Sequence, residues 1–330
     1  MKNEYRKNTN RKNLVPLNEE LIDRIITVTT KAAMASHKFV GKNNKKDADQ
    51  AATDSMRNEL NKIEFNGEVV IGEGELDEAP MLYIGEKLGA GGNLDIDIAV
   101  DPLEGTNFVA KNLPGALSVI SIAEKGNLFN APETYMDKLA VSNNVPHDAT
   151  DLDFSLEKNI KNIADSLNKE FKDITVCLLN RPRHQEIINK LKDMNVNMKL
   201  ISDGDVSGAL MVTDKKYNVD IFLGIGGGPE GVLAASAIDA YGCKFQGRFL
   251  FENEKDIARA KKMGIKDLKK KYDLREIIKG DSIFCATGIT DGDLVKGINL
   301  KDNKYTTETL VTHKNSKMCK IFTRQDTIKT

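Results

Sequence analysis

The stretch Leu94–Asn107, LDIDIAVDPLEGTN, decides how the chain is read. Ile96, Ile98 and Val100 alternate with Asp95, Asp97 and Asp101, the period of two that marks a half-buried strand. Pro102 makes the following turn rigid, and Gly105, Thr106 and Asn107 are small polar residues that can open a helix. Two acids, Asp101 and Glu104, thus stand three residues apart where a strand ends. In α/β proteins such ends are where ligand chemistry is placed.

Charge gathers around this stretch. Between Glu73 and Glu104 there are nine carboxylates and one basic residue, Lys87, although the whole chain carries 48 Lys+Arg against 49 Asp+Glu. The segment Val69–Pro80, VVIGEGELDEAP, alone holds Glu73, Glu75, Asp77 and Glu78. A random acidic run is ordinarily a solvated face. These acids instead sit at strand ends, beside Gly72, Gly74 and Pro102. A carboxylate set without His or Cys suits Mg²⁺ or Mn²⁺ and not zinc. Because Mg²⁺ takes only one or two protein carboxylates per ion, Asp49, Glu73, Asp101 and Glu104 could hold two or three ions without crowding. A helix starting at Gly105-Thr106 would turn free backbone N–H groups toward a phosphate. Metal on one side and amides on the other describe a phosphate-ester site, in which the ion screens phosphate charge and acidifies water.

Other motifs point to the same chemistry with less force. Asn180-Arg181-Pro182-Arg183-His184 lies between a strand and a helix; it is either a solvated basic loop or the seat of a second phosphate, which Arg binds bidentately. Asp203-Gly204-Asp205 either binds sugar hydroxyls or caps the helix after it. Tyr135 is a packing residue or a ligand. Gly226, Gly228 and Gly231 fit G-x-G-x-x-G formally, but Glu230 would stand where a pyrophosphate must approach. The other reading of that turn has backbone approaching a sugar phosphate and Glu230 reaching a metal. LDIDIAV imitates an Asp-x-Asp nucleophile strand without the apolar run such a strand needs. No P-loop, no G-x-S-x-G and no histidine triad are present.

Composition narrows the partners. The chain is 40% hydrophobic and 29% charged over 330 residues, ordinary for a globular protein. The charge balance leaves no excess to attract nucleic acid, and no apolar run approaches the roughly 18–20 residues of a membrane span, so a small-molecule partner and a cytoplasmic location are expected. Cys177, Cys243, Cys285 and Cys319 are too scattered for a zinc site or a disulfide framework and are expected as reduced thiols.

The pattern predicts a frayed tail over residues 1–13, a helix from Asn18 toward Gly41, and a second helix over about 47–63 that places Asp49 in its first turn. Strands are expected at GEVVIGEG and LDIDIAVDP, and two more in ALSVISIAEKGNLF around a Lys125-Gly126-Asn127 turn. After about residue 150, helices and strands alternate as in a layered α/β sheet: a metal-binding α+β subdomain over 14–150 and an α/β substrate-binding subdomain with C-terminal strands over 151–330, forming one compact catalytic unit.

With these residues in hand, the chain resembles the class II (GlpX-type) fructose-1,6-bisphosphatases. The likeness runs from about residue 18 to the C-terminus through VVIGEGELDEAPMLYIGEKLG, DIAVDPLEGTN, NAPETYMDKL, RPRHQEII, SDGDV, GIGGGPEGV, RAKKMGI and CATGITDGDL, in that order. It implies a layered αβαβα fold like that of the inositol monophosphatases. The implied reaction is hydrolysis of the 1-phosphate of fructose 1,6-bisphosphate by a divalent-metal-activated water, with Mn²⁺ or Mg²⁺, in gluconeogenesis and glycerol metabolism. A homo-oligomer, dimer or tetramer, is expected. The family's metal carboxylates fall on Asp49, Glu73, Asp101, Glu104 and Glu230. Its substrate contacts fall on Glu104, Gly105, Thr106, Tyr135, Arg181, Pro182, Arg183, Asp203, Gly204, Asp205 and Gly227. Thr106 is implied to orient the attacking water, with Asp49 as ligand, base or both. Two departures are visible: GKNNKKDAD lacks the acid that often precedes Lys45, and Arg181 stands where Lys is common. Sedoheptulose 1,7-bisphosphate or an inositol phosphate as substrate, and a non-catalytic sugar-phosphate sensor, are the competing readings.

Overall fold

A computed structural model describes residues 17–72 and 81–327. The expected tail, residues 1–13, and the acids Glu73, Glu75, Asp77 and Glu78 lie outside the described residues. Helix α1 (Glu19–His37) starts where the Asn18 side chain accepts the backbone N–H of Leu21 at 2.9 Å, a cap that satisfies one free donor of the first turn. Its buried stripe contains Leu21, Ile22, Ile25, Ile26, Ala32 and Ala33, the residues whose spacing predicts it. Helix α2 (Lys45–Leu60) is capped by Asn44 and begins earlier than the apolar pattern suggests. Asp47 therefore occupies the first turn, and Asp49 is carried into the second.

The chain continues through β1 (Asn66–Ile71), β2 (Lys87–Leu88), β3 (Asp95–Glu104), α3 (Thr106–Lys111) and β4 (Leu117–Glu124). It then forms β5 (Tyr135–Val141), α4 (Leu156–Leu167), β6 (Thr175–Leu179), α5 (Gln185–Asp193), β7 (Asn197–Ile201), α6 (Asp205–Leu210) and β8 (Ile221–Gly227). After α7 (Gly228–Asp239) come β9 (Lys244–Leu250), α8 (Glu254–Lys262), β10 (Lys271–Asp273) and α9 (Leu274–Ile277). Strands β11 (Ser282–Gly288), β12 (Asn299–Lys301), β13 (Lys304–His313) and β14 (Met318–Thr327) complete it. The segment after β4 makes only an isolated bridge, Leu128 to Ile278, and not the second strand its sequence suggests. Asp97 explains this: its carboxylate accepts the N–H groups of Gly126 and Leu128, at 2.7 and 3.2 Å, and so fixes the turn locally.

Two sheets result. The first, eight-stranded among the described residues, runs β12-β13-β11-β4-β3-β1-β2 with β14 outside β13; the second, six-stranded, runs β10-β9-β5-β8-β6-β7. Tyr135–Val141 thus belongs to the second sheet, and the chain returns to the first only at Ser282. Three apolar layers hold the stack together. Residues of α1 and α2 pack with Ile96, Ile98, Val100, Ile120 and Ile283 on the outer face of the first sheet. Val206 and Leu210 of α6 and Val232–Ile238 of α7 fill the space between Ala99 and Val119 of the first sheet and Met136 and Phe222 of the second. Ile160, Ile163, Ile188 and Leu191 of α4 and α5 cover the far face of the second sheet. The order is helix, sheet, helix, sheet, helix, the αβαβα stack expected. Burying each Leu, Ile or Phe in these layers contributes about 1.5–3 kcal/mol, so the sheet ends facing α6 and α7 are held at fixed separation. All four cysteines are free thiols, and three of them are buried.

Candidate active site

A cavity of about 520 Å³ opens where the ends of β3, β6, β7 and β8 meet the starts of α3, α6 and α7. Strand β3 delivers the first group. Its pairing with β4 is in register up to Asp101 and shifts before Glu104, so Pro102 and Leu103 form a bulge. Such a bulge bends the strand and re-aims the residues after it. Asp101, Glu104, Gly105 and Thr106 all line the cavity. Gly105 has φ +85°, a left-handed conformation open to glycine, and a Cβ there would meet the Phe108 ring at 2.6 Å. The turn is therefore specific to glycine, and it places Thr106 as the first residue of α3.

The second sheet delivers the remainder. Asp203, Gly204 and Asp205 follow β7, with Gly204 at φ +92° acting as N-cap residue of α6. The Val206 N–H donates to Glu104 Oε1 at 3.2 Å, which joins the two sheets across the cavity floor. Gly227 and Glu230 come from the junction of β8 and α7. A Cβ on Gly226 would fall 1.8 Å from Asp205 Oδ2, and one on Gly227 1.8 Å from Glu230 Oε2. Only glycines allow these two carboxylates to stand so close to the backbone of β8.

Basic and aromatic groups close the rim. Arg181 Nη2 lies 3.6 Å from Asp203 Oδ1, with both side chains partly exposed. Arg183 donates Nε to the Ile225 carbonyl at 2.9 Å, and its guanidinium lies 4.8 Å from the centre of the Tyr135 ring. That contact is a cation–π arrangement, and Tyr135 is 39% exposed at the mouth. His184, grouped by sequence with the two arginines, is fully buried and plays a different part. The Ile225 N–H donates to its Nε2 at 2.8 Å, so its Nδ1 donates to the Leu179 carbonyl at 2.7 Å. Burial lowers its pKa. It is a neutral clamp between the arginine loop and β8, not a source of positive charge for phosphate.

The carboxylates are electrostatically loaded. Glu104 is 5% exposed, and its Oε2 has no hydrogen-bond partner. Burial, then the charges of Asp205, Glu230 and Asp203, push its pKa up to about 8. Burial likewise raises Glu230 and raises Asp49 to about 6, with Asp49 Oδ1 also unpartnered. Among the described residues no group of three or more Asp, Glu, His or Cys side chains is gathered tightly enough to hold an ion. Glu73 lies outside those residues. Asp49 and Pro182 are not among the residues lining the cavity. The donor set nonetheless fits a hard divalent cation: it is all oxygen, two of its buried oxygens lack partners, and burial, first among the causes, raises the pKa values of Asp49, Glu104 and Glu230. Convergence of three protein ligands is not required where substrate phosphate and water complete the shell.

One buried group escaped sequence reading altogether. Lys138 of β5 is fully buried, pairs with the Asp205 carboxylate, and donates to the Gly227 carbonyl at 2.7 Å. In YMDKLAV it reads as an exposed position of a half-buried strand, and no local signal distinguishes it.

Comparison with known proteins identifies the family. The family of bacterial fructose-1,6-bisphosphatases, glpX-encoded, matches residues 19–326. The chain is 41% identical over 321 residues to the D-fructose 1,6-bisphosphatase class 2/sedoheptulose 1,7-bisphosphatase of Synechococcus sp. (strain JA-2-3B'a(2-13)), covering 89% of this chain and 91% of that protein. It is 41% identical over 309 residues to fructose-1,6-bisphosphatase 1 class 2 of Escherichia coli (strain K12), with 89% and 91% covered. With fructose-1,6-bisphosphatase class 2 of Haemophilus influenzae the figure is 40% over 309 residues, with 89% and 92% covered. A solved inositol monophosphatase from Anabaena is 13% identical and covers 59% of this chain and 71% of that one, with a TM-score of 0.31, too remote to carry an argument about the site. Matched along nearly its whole described length, the chain belongs to the glpX-encoded family of bacterial fructose-1,6-bisphosphatases.

Proposed function

We propose that the chain hydrolyses the 1-phosphate of fructose 1,6-bisphosphate to fructose 6-phosphate and phosphate, with Mn²⁺ or Mg²⁺. The observation that carries this is that one cavity of about 520 Å³ is lined both by Glu104, a buried carboxylate with an unpartnered oxygen, and by Arg181 and Arg183. The carboxylate suits a cation and the phosphate to be removed. The arginines suit the phosphate that stays. Asp49, Glu73, Asp101, Glu104 and Glu230 would hold the ions. A bound divalent cation neutralises phosphate oxygens and acidifies water.

The chain's own residues do the rest. The Gly105 turn fixes the Thr106 hydroxyl at the cavity wall, where it orients a water in line with the bond to be broken. The Phe108 N–H already donates to the Gly105 carbonyl at 2.8 Å; the backbone N–H groups of Thr106 and Asn107, which open α3 ahead of it, are the ones offered to phosphate oxygens. Asp203 and Asp205 accept sugar hydroxyls, with Gly204 and Gly227 keeping the backbone low enough for the sugar to enter. Arg183, braced on Tyr135 and on the Ile225 carbonyl, meets the distal phosphate with Arg181. Residues 14–150 thus supply four of the five ion-holding carboxylates, and residues 151–330 supply Glu230 and most of the substrate contacts of one catalytic unit.

The direct test is phosphate release from fructose 1,6-bisphosphate by chelated enzyme before and after adding Mn²⁺ or Mg²⁺. Release that depends on the ion is expected; no release with either ion would favour a sugar-phosphate sensor. Sedoheptulose 1,7-bisphosphate belongs in the same assay because that activity is part of the name of the Synechococcus relative. Arg183→Ala should raise KM for the bisphosphate by about 10- to 100-fold, the worth of a lost charge-assisted hydrogen bond. Activity on fructose 1-phosphate should change little. Equal losses on the two esters would remove Arg183 from the distal phosphate.

A further inference from the structure

Lys138 lies on the central strand of the second sheet, with β8 on one side and β9 on the other. Its face is shared with Met136 and Ala140, both fully buried in the layer between the sheets. A lysine stem crosses this apolar layer and surfaces nowhere: the residue is 0% exposed. Glycines make the passage possible. Gly224 and Gly247 are its cross-strand neighbours, and a Cβ on Gly231 of α7 would come within 3.3 Å of Lys138 Cδ. A buried ammonium needs both charge pairing and hydrogen bonds, and Lys138 finds them at the cavity floor. Its Nζ pairs with Asp205 and donates to the Gly227 carbonyl at 2.7 Å.

The carboxylate of the pair keeps one oxygen unused. Lys138 takes Asp205 Oδ2, whereas Asp205 Oδ1 is buried without a hydrogen-bond partner. A carboxylate offers about four acceptor directions, and leaving one oxygen dry and unpaired costs stability unless something arrives to use it. Asp205 lines the cavity, so that something enters through the cavity. On this reading the ammonium below fixes the carboxylate in one orientation, so the upper oxygen is ready for a hydroxyl donor. Such preorganisation lowers the cost of ordering the site when substrate binds.

We propose that Lys138 is a positioning residue for the sugar, acting through Asp205 and not on the phosphate; this rests on the sugar-bisphosphatase reading above. The experiment is a double-mutant cycle on the metal-loaded enzyme with Lys138→Met, Asp205→Asn and both together, reading KM and kcat for fructose 1,6-bisphosphate and for p-nitrophenyl phosphate, which has no sugar. Lys138→Met is expected to raise KM for the sugar ester at least tenfold, to change p-nitrophenyl phosphate hydrolysis less than threefold, and to add little once Asp205 is Asn. Lys138→Arg, which keeps the charge, should recover part of the lost affinity. The double variant removes both buried charges together and so remains foldable if the single lysine variant does not. In that event, a double variant equal to Asp205→Asn alone supports the assignment. Losses that multiply independently, or that fall equally on both esters, overturn it. Failure of the wild type itself to release phosphate from fructose 1,6-bisphosphate would instead sink the functional reading on which the assignment depends.

Discussion

Replacing Glu104 by Gln is expected to reduce phosphate release by roughly 10²- to 10³-fold, the loss seen when one fixed electrostatic partner is removed, and to raise the melting temperature of the chelated protein at pH 8. The two effects have one cause. Glu104 is almost fully buried, one of its oxygens lacks a partner, and Asp205, Glu230 and Asp203 repel its charge. Without a cation the folded protein holds the proton up to about pH 8, whereas the unfolded chain releases it near its ordinary value of 4.5. Between those values the folded state binds more protons, so stability of the metal-free protein falls as pH rises, by about 1.4 kcal/mol per pKa unit of difference. Asp49, raised from 3.8 to about 6, adds to the lower part of the same descent. The Gln amide keeps an oxygen for the Val206 N–H and carries no charge, so the variant's melting curve should flatten across this window. Parallel pH profiles for wild type and variant would show that Glu104 is not the loaded group.

Thr106→Ala is expected to lower kcat by roughly 10²- to 10⁴-fold, the range for a positioned group that handles a proton in the transition state, with KM changed by less than about threefold. The backbone argues for this separation. Gly105 in the left-handed region and the Phe108 ring against it fix the start of α3 independently of the Thr106 side chain, so alanine removes a hydroxyl without moving the amides that open α3. An interaction made only in the transition state costs kcat and spares KM. Thr106→Ser, which restores the hydroxyl, should recover most of the rate. A large rise in KM with kcat intact would assign Thr106 to ground-state binding instead.

What was legible in the sequence was whatever rests on local rules. Strand β3 alternates because one of its faces is packed under α1 and α2 and the other under α7, and DPLEGT encodes a bulge and a left-handed glycine in consecutive residues. Twelve of the proposed site residues fall on a single cavity for that reason: they occupy strand ends and helix starts, which turn chemistry marks plainly. Groups placed by tertiary packing were not legible. Lys138 looks solvent-facing in YMDKLAV until β8, β9 and α7 surround it. His184 looks like a phosphate ligand beside two arginines until the Ile225 amide occupies its Nε2. Strand β9, KFQGRFL, mixes charge and glycine and gives no clean alternation, yet β5 and β10 pair with it on both sides. Helix α2 ran early because Asn44 supplies a cap that the lysine-rich start conceals.

The return of the chain to the first sheet at Ser282 has a consequence for the order in which the protein can be made. The second sheet comes from one continuous run, Tyr135–Asp273, and can close as soon as that run leaves the ribosome. The first sheet cannot, because β11 must pair along the whole of β4, and β13 along β11. Until then β4 is an open, apolar edge, the kind of surface that pairs promiscuously during synthesis. A chain that ends before Ser282 therefore holds every strand of the second sheet while β4, beside the carboxylate-bearing β3, still lacks its partner.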